Sequence, residues 1–420
     1  MNTVALLNQV ENDYSHVRTL NVFWAGFIIY TLGFTVSISG EANYKLCNAA
    51  QIIGIVLLVP AAIRIIDFNF ESKYLKVIYV LYCTWLMVVV MRGFSFEYGF
   101  VKKTLLNPYN GVFLYLAPLI LGFPKHPHFI RSIFHVVLIF GLFYIMHLGY
   151  FFNELSDADS RSGKTMLEYF VKTLAIPSGF LLLTYSYQTN SRKMVALVVI
   201  FLAVIMATIR ARRGLIFMSG SILVFYFLTF VYVNRKRVSY LFLALGLVVL
   251  GVAYGYHKYE SGSIEALNYA RERMNEQTRS EVELYFYADM ETQDWIVGRG
   301  ISGLVAAPVN IMEDHVDDMP GYRDGIEIDY LNIILKGGII SLGLLLLIAV
   351  PAIVLGLFFS KNVLSKAAGL WILLWLVSLY PTTVTTFTLN YLLVWVAIGI
   401  CYSKEIRSIP ENELVAILKS

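Results

Sequence analysis

The chain has 420 residues, 58% of them hydrophobic and only 15% charged, with a mean hydropathy of +0.65. A soluble domain of this size needs about a quarter of its residues charged to face water, so the composition excludes a soluble protein and specifies one embedded in a lipid bilayer. The net charge of +4 comes from 33 basic and 29 acidic residues. The basic residues sit in short scattered clusters, so no stripe for nucleic acid exists and no nucleic-acid partner is expected.

In chain order, the polar stretch that ends at Arg18 and contains Glu11 and Asp13 lacks the basic start and short apolar core of a cleavable signal, so the first apolar run is expected to direct insertion. A hydrocarbon core of about 30 Å takes roughly 20 apolar residues as helix. Runs of that kind fall at 20–38, 48–66, 74–92, 108–123, 129–151, 167–187, 193–209, 214–233, 238–256, 330–359, 365–382 and 384–402. The expected fold class is an all-α integral membrane protein of about 12 transmembrane helices. A large, partly helical loop stands outside the bilayer between helices 9 and 10. The division is 1–257 for the first nine helices, 258–328 for the loop, and 329–420 for the last three helices and a cytoplasmic tail. Cys47, Cys83 and Cys401 lie in or beside apolar runs without paired ligand spacing, which predicts neither a disulfide framework nor a zinc site.

Short loops rich in Lys and Arg tend to stay cytoplasmic. On the side of the N-terminus fall Arg18, Arg64, Lys73, Lys76, Lys125, Arg131, Arg192, Lys193, Arg235, Lys236, Arg237, Lys361, Lys366, Lys404, Arg407 and Lys419. They outnumber Lys45, Arg92, Lys102, Lys103, Arg161, Lys164, Arg210, Arg212 and Arg213 on the other side. Both termini are therefore expected inside, with 210–213 and 258–328 outside.

Two features stand out on the outer side. Arg210, Arg212 and Arg213 crowd one short turn against the orienting rule. Guanidinium is permanently charged and its planar fork pairs two phosphate oxygens at once, so the turn reads as a phosphate or diphosphate site, with Arg213 or Arg210 the favoured contact. Gly214 and the N–H groups of the following helix start would add to it. The alternative is that these arginines bind lipid head groups or snorkel to the interface. The second feature is the loop itself, since an insertion of roughly seventy residues exceeds what a connector needs.

Within the loop, Arg299 between Gly298 and Gly300 has a backbone able to approach a ligand closely, although a plain turn reads the same way. Near its end, Glu327 and Asp329 stand at the mouth of the tenth span, and Arg323 precedes Glu327 by four residues. Residues two apart do not share a helix face, so one of the two acids is expected to face a site as a general base and the other to tolerate its amide. The plain alternative is that both complement the helix dipole and that Arg323 and Glu327 form a surface pair. His126, His128, His135, His147, His257 and His315 show no metal spacing, and Glu281, Glu283, Asp289, Glu291, Asp294, Asp317 and Asp318 read as a solvated face. No metal and no cofactor are expected. Neither a Walker loop, a Rossmann fingerprint nor a nucleophile elbow is present. The absence of an internal repeat weighs against a transporter, as does the scarcity of ionisable residues within spans, Arg64 and Lys172 near span ends and Lys336 in the tenth being the ones noted.

With twelve spans, an Arg-Gly start to the eighth and a long loop between the ninth and tenth, the chain resembles the O-antigen polymerase and ligase group of bacterial polytopic membrane glycosyltransferases. In the ligases the tenth span opens with a His-Asn-x-x-Leu run followed by a Gly-rich stretch. Here Glu327-Ile328-Asp329-Tyr330-Leu331 precedes Gly338-Ile339-Ile340, which is more similar to the polymerase branch. The resemblance covers the topology of the whole chain, and particular residues at 209–214, 296–300 and 323–341. It implies polymerisation of lipid-linked repeat units into a surface polysaccharide in the bacterial inner membrane, with the active site on the periplasmic side. Donor and acceptor would both be polyprenyl-diphosphate-linked oligosaccharides. Arg210, Arg212, Arg213, Arg299 and Arg323 would bind diphosphate, Glu327 or Asp329 would act as base, and no metal would be needed. Glu327 is favoured because it aligns with the ligase histidine. A chain-length regulator protein is a further partner compatible with the resemblance. The runner-up functions are a lipid-linked oligosaccharide flippase or transporter, and the ligase itself.

Overall fold

The computed structural model describes residues 14–39, 43–157, 160–233, 278–306 and 321–419. The expected ninth span at 238–256, the basic cluster at 235–237, and His257, His315, Asp317 and Asp318 lie outside the described residues. Among those described, eight helices are long and apolar enough to cross a membrane by length and composition, and three more apolar helices are shorter. The protein is an all-α membrane protein, its strands among the described residues amounting to one two-residue pair.

The chain divides into two compact units, one formed by Met1–Ile139 with Thr278–Ser420 and the other by Phe140–Gln277. The first unit begins with helices α1 (Tyr14–Ile38) and α2 (Tyr44–Ile65), an antiparallel hairpin packed through small residues. A Cβ on Gly26 would lie 2.7 Å from the Gly54 carbonyl oxygen, and one on Gly54 would lie 2.6 Å from the Tyr30 nitrogen. Such close backbone approach is how helices associate where lipid supplies no hydrophobic drive.

Helix α3 (Lys73–Met91) follows, capped by the Ser72 side chain on the Leu75 N–H, and then the short α4 (Tyr98–Leu106). The expected span 108–123 is not one helix. Asn107 precedes Pro108, which disfavours helix at that residue, and its Oδ1 accepts from the Tyr109 N–H at 2.8 Å. Helix resumes only as α5 (Phe113–Leu116), tightening into a 3₁₀ stretch at Ala117–Gly122. Helix α6 (Pro127–Tyr150) closes this half.

In the second unit, α7 (Phe152–Ser156) leads to α8 (Arg161–Phe170), a π-turn at Val171–Ala175, and α9 (Ser178–Leu183). Pro177 has no N–H to give and its ring crowds the carbonyl four residues back. The widened turn, closed by the Ile176 N–H on the Val171 carbonyl at 2.9 Å, lies directly before it. Helices α10 (Asn190–Ile209) and α11 (Arg213–Val233) complete this unit's described part and pack on α9.

Back in the first unit, α12 (Thr278–Asp289) and α13 (Thr292–Val297) come from the expected loop, as does β1 (Val305–Ala306), which pairs antiparallel with β2 (Tyr322–Arg323). Helix α14 (Asp329–Phe358) is the long tenth run, broken at Gly338. After it come α15 (Val363–Ser378), α16 (Leu389–Tyr402), α17 (Lys404–Ser408) and α18 (Glu411–Lys419). The last two apolar runs are expected to meet at a short break, but the non-helical stretch spans 379–388, where Pro381 and the β-branched threonines favour extended backbone. Every residue of α16 is buried, packed against α14, α15 and the 3₁₀ stretch.

Candidate functional site

In the second unit, α10 ends at the arginine turn. The Arg212 N–H bonds the Ala207 carbonyl at 2.9 Å, and Ala211 takes φ +52, a left-handed cap that glycine normally fills. This geometry sends the neighbouring arginines to different tasks. Arg210 is buried, and its guanidinium donates to the backbone carbonyls of Asp157 and Ser160, so it ties the preceding loop to the turn. Arg212 places Nη2 3.2 Å from Glu168 Oε2. The other carboxylate oxygen, Oε1, accepts from Lys172 Nζ at 2.6 Å, and the Lys172 side chain is only 5% exposed. Arg213 is exposed as the first residue of α11, next to the buried Gly214. The phosphate reading of the turn thus narrows to Arg212 and Arg213, because Arg210 is committed to carbonyls.

In the first unit, the two glycine-bearing motifs of the sequence meet. Gly338 has φ +68 and Gly298 φ +69, and a Cβ on either would collide with the other's segment: 2.0 Å to the Ile296 oxygen from Gly338, 2.5 Å to the Gly337 nitrogen from Gly298. The break in α14 frees carbonyls that must find donors in a low-dielectric setting. Arg299 N–H bonds Leu335 O at 2.7 Å, Gly300 N–H bonds Lys336 O at 2.9 Å, and Trp85 Nε1 reaches Gly337 O at 2.8 Å. From α3, the Arg92 guanidinium holds the carbonyls of Val297 and Gly298, each at 2.8 Å.

The Arg299 side chain organises the loop on the other side of this contact. It bonds Asp289 Oδ2 at 2.5 Å, Asp294 Oδ2 at 2.7 and 2.8 Å, and the carbonyls of Asp289 and Leu304. Burial opposes its charge, but the hydrogen bonds to Asp294 and Asp289 outweigh that and hold its pKa above the usual guanidinium value. Asp289 and Asp294, read from sequence as a solvated face, are therefore its structural partners.

Glu327 is exposed and Asp329 buried, a difference that the helix rule does not contain. Helix α14 starts at Asp329, so Arg323 in β2 and Glu327 in the bend before the helix are not related by a helical turn. Asp329 is buried, and its Oδ2 accepts from the Val384 N–H at 2.9 Å and the Thr385 N–H at 2.6 Å, latching the 379–388 segment. Tolerance of an amide there is no longer expected.

Glu327 is exposed between Ile326 and Ile328, both anchored in a cluster with Phe286, Met290, Leu331 and Leu335. Asn332 Oδ1 accepts from the Ile326 N–H at 2.6 Å and fixes the same segment. An in–out–in alternation thus presents the Glu327 carboxylate on a rigid platform. Arg323 is half-buried in β2 opposite Val305.

Beneath this platform, a small cavity of about 70 Å³ is lined by Tyr109, Asp324, Asp329, Asn332, Lys336 and Tyr391, among others. Lys336 Nζ donates to Gly303 O at 2.7 Å. Sequence reading registers Lys336 and Lys172 as charges within apolar runs but assigns them no role, and it passes over Glu168 and Asp324. The available signal for Glu168 and Lys172 is their i, i+4 spacing in an apolar stretch.

The same unit carries two pairs of stacked aromatic rings. Tyr287 and Trp295 stack with centroids 5.9 Å apart and planes at 6°, and Tyr330 and Tyr380 stack at 6.5 Å and 11°. Tyr287 and Tyr380 are exposed. Among the described residues no group of three or more His, Cys, Asp or Glu side chains has metal-site geometry, and the three cysteines are free thiols. No protein-family model matches the chain, and no curated protein or solved structure matches it.

Proposed function

We propose that this membrane protein is a glycosyltransferase of the O-antigen polymerase kind, joining lipid-linked repeat units into a surface polysaccharide. The observation that carries the reading is Glu327, an exposed carboxylate between two anchored isoleucines, in the same unit as two pairs of stacked aromatic rings. Sugars pack their C–H faces on aromatic faces, and a carboxylate is the group that accepts a proton from an attacking sugar hydroxyl. The loop charge count supports a periplasmic position for this region in a bacterial inner membrane.

In the proposed reaction the acceptor hydroxyl oxygen bonds to the anomeric carbon of the donor glycan as the bond from that carbon to the diphosphate oxygen breaks. The hydroxyl proton passes to Glu327, and polyprenyl diphosphate leaves with the electron pair. Arg212 and Arg213, in the second unit, are the residues proposed to bind a lipid diphosphate. Arg299, Asp329 and Arg210 are supporting residues in this reading, since their polar groups are committed to the protein itself.

Glu327→Gln keeps size and most hydrogen bonding but cannot take the proton, so cells carrying it should accumulate single repeats while membrane protein level stays normal. Glycolipid gel patterns with a parallel immunoblot read both quantities. Near-normal polymer from Glu327→Gln would remove the base role. Polymer of full length left on its lipid carrier in a deletion strain would instead favour the ligase, and repeat units trapped on the inner leaflet the flippase.

A further inference from the structure

The arginine turn raises a selectivity problem that its own geometry answers. An arginine at a membrane surface meets phospholipid phosphates in vast excess over any lipid diphosphate, and a bare guanidinium would be occupied by them. We infer that Glu168 is a specificity-determining residue: a built-in competitor on Arg212 that a diphosphate displaces and a single phosphate does not. The inference rests on the diphosphate reading of the turn proposed above.

Three observations support it. Glu168 holds its two partners unequally, with Lys172 Nζ at 2.6 Å on one oxygen and Arg212 Nη2 at 3.2 Å on the other. The contact to Arg212 is single-pronged, and Arg212 Nε is buried with no hydrogen-bond partner among the described residues. Arg212 therefore keeps donor capacity that the protein does not use, whereas Arg210 has given its Nη groups to two carbonyls. The tight half of the bridge is also anchored in place: Glu168 and Lys172 are i, i+4 neighbours where α8 runs into the π-turn, and the Lys172 side chain is buried.

The charges then set the selection rule. Glu168, Lys172 and Arg212 together carry one net positive charge, and the carboxylate lies within reach of whatever binds Arg212. A phosphate with one negative charge only replaces one anion on Arg212 by another, and it meets the repulsion of the carboxylate that stays on Lys172. A diphosphate brings more charge and engages the guanidinium fork with two oxygens, so it overcomes that repulsion. Specificity of this kind comes from the repulsive element as much as the attractive one.

Farnesyl diphosphate and the methyl ester of farnesyl monophosphate, a phosphodiester with one negative charge on the same lipid, are suitable probes for calorimetric titration of the full-length protein in detergent micelles. Wild type should prefer the diphosphate. Glu168→Gln should tighten the phosphodiester more than the diphosphate and lower that preference by about fivefold, the size of a partly buried ion-pair effect. Glu168→Gln with Lys172→Met removes the competitor without stranding a buried ammonium and should behave the same way, which guards against a folding defect in the single variant. An unchanged preference in both variants overturns the competitor role while leaving the diphosphate site intact, provided Arg212→Ala loses affinity for both probes. If Arg212→Ala instead binds both like wild type, the diphosphate site itself fails, and this inference with it.

Discussion

The arginine turn at 210–213 and the helix break at 335–338 both tie separate segments together through backbone carbonyls, with opposite materials. The break frees carbonyls that lose their helical donors, whereas the turn brings a guanidinium to carbonyls of a preceding loop that already accept backbone N–H bonds. At the turn, a buried guanidinium on Arg210 supplies the donors to Asp157 and Ser160, and the strained residue is an alanine. At the break, the N–H groups of Arg299 and Gly300 bond the freed carbonyls, Arg92 holds the approaching segment, and glycines take every positive φ. The comparison teaches that an arginine in a loop expected outside is not by itself a phosphate ligand. A guanidinium satisfies a carbonyl as readily as it does an anion, and only the contacts separate Arg210, Arg92 and Arg299 from Arg212.

The largest effect expected from breaking this comparison is at Gly338. A Cβ there lies 2.0 Å from a backbone oxygen and the left-handed φ adds strain, so Gly338→Ala should cost more than about 4 kcal/mol and abolish accumulation of folded protein, read by fluorescence-detected size exclusion. Next is Arg299→Met, which strands two carboxylates and two carbonyls. It should cost about 3 kcal/mol and reduce protein level, and Arg299→Lys should not restore it because an ammonium cannot span the same acceptors. Were Arg299 a diphosphate ligand, both variants would keep normal protein and lose only polymer.

Asp329→Asn keeps an oxygen for the Val384 and Thr385 N–H groups but loses the charge, so a destabilisation of about 1–2 kcal/mol is expected, visible as a lower melting temperature of purified protein. Glu327→Gln should leave that temperature unchanged, which sharpens the contrast between a latch and a presented carboxylate. The smallest effect is at the turn. Ala211→Gly relieves the left-handed alanine and should stabilise by about 1 kcal/mol, provided the gain exceeds the added freedom of the unfolded chain. A loss of stability there would mean that the cap is not a strained one.

The sequence by itself determined the membrane character, most span positions and the existence of a special region before the tenth span. These follow from apolar runs and charge placement, which are properties of local composition. Its helical-face argument for Glu327 and Asp329 does not apply, because only Asp329 is helical. What the tertiary structure alone decided was the assignment of each charge. Arg299 faces Asp289 and Asp294 within its own loop, Asp329 latches a segment more than fifty residues downstream, and Glu168 meets Arg212 across two helices. Spacing along the chain carries no record of such pairings. The energy of a charge depends on which donors and acceptors the fold brings within about 3 Å of it, and those partners come from distant turns. The two glycine motifs, ordinary when taken singly, become one feature only when Gly298 and Gly338 stand face to face.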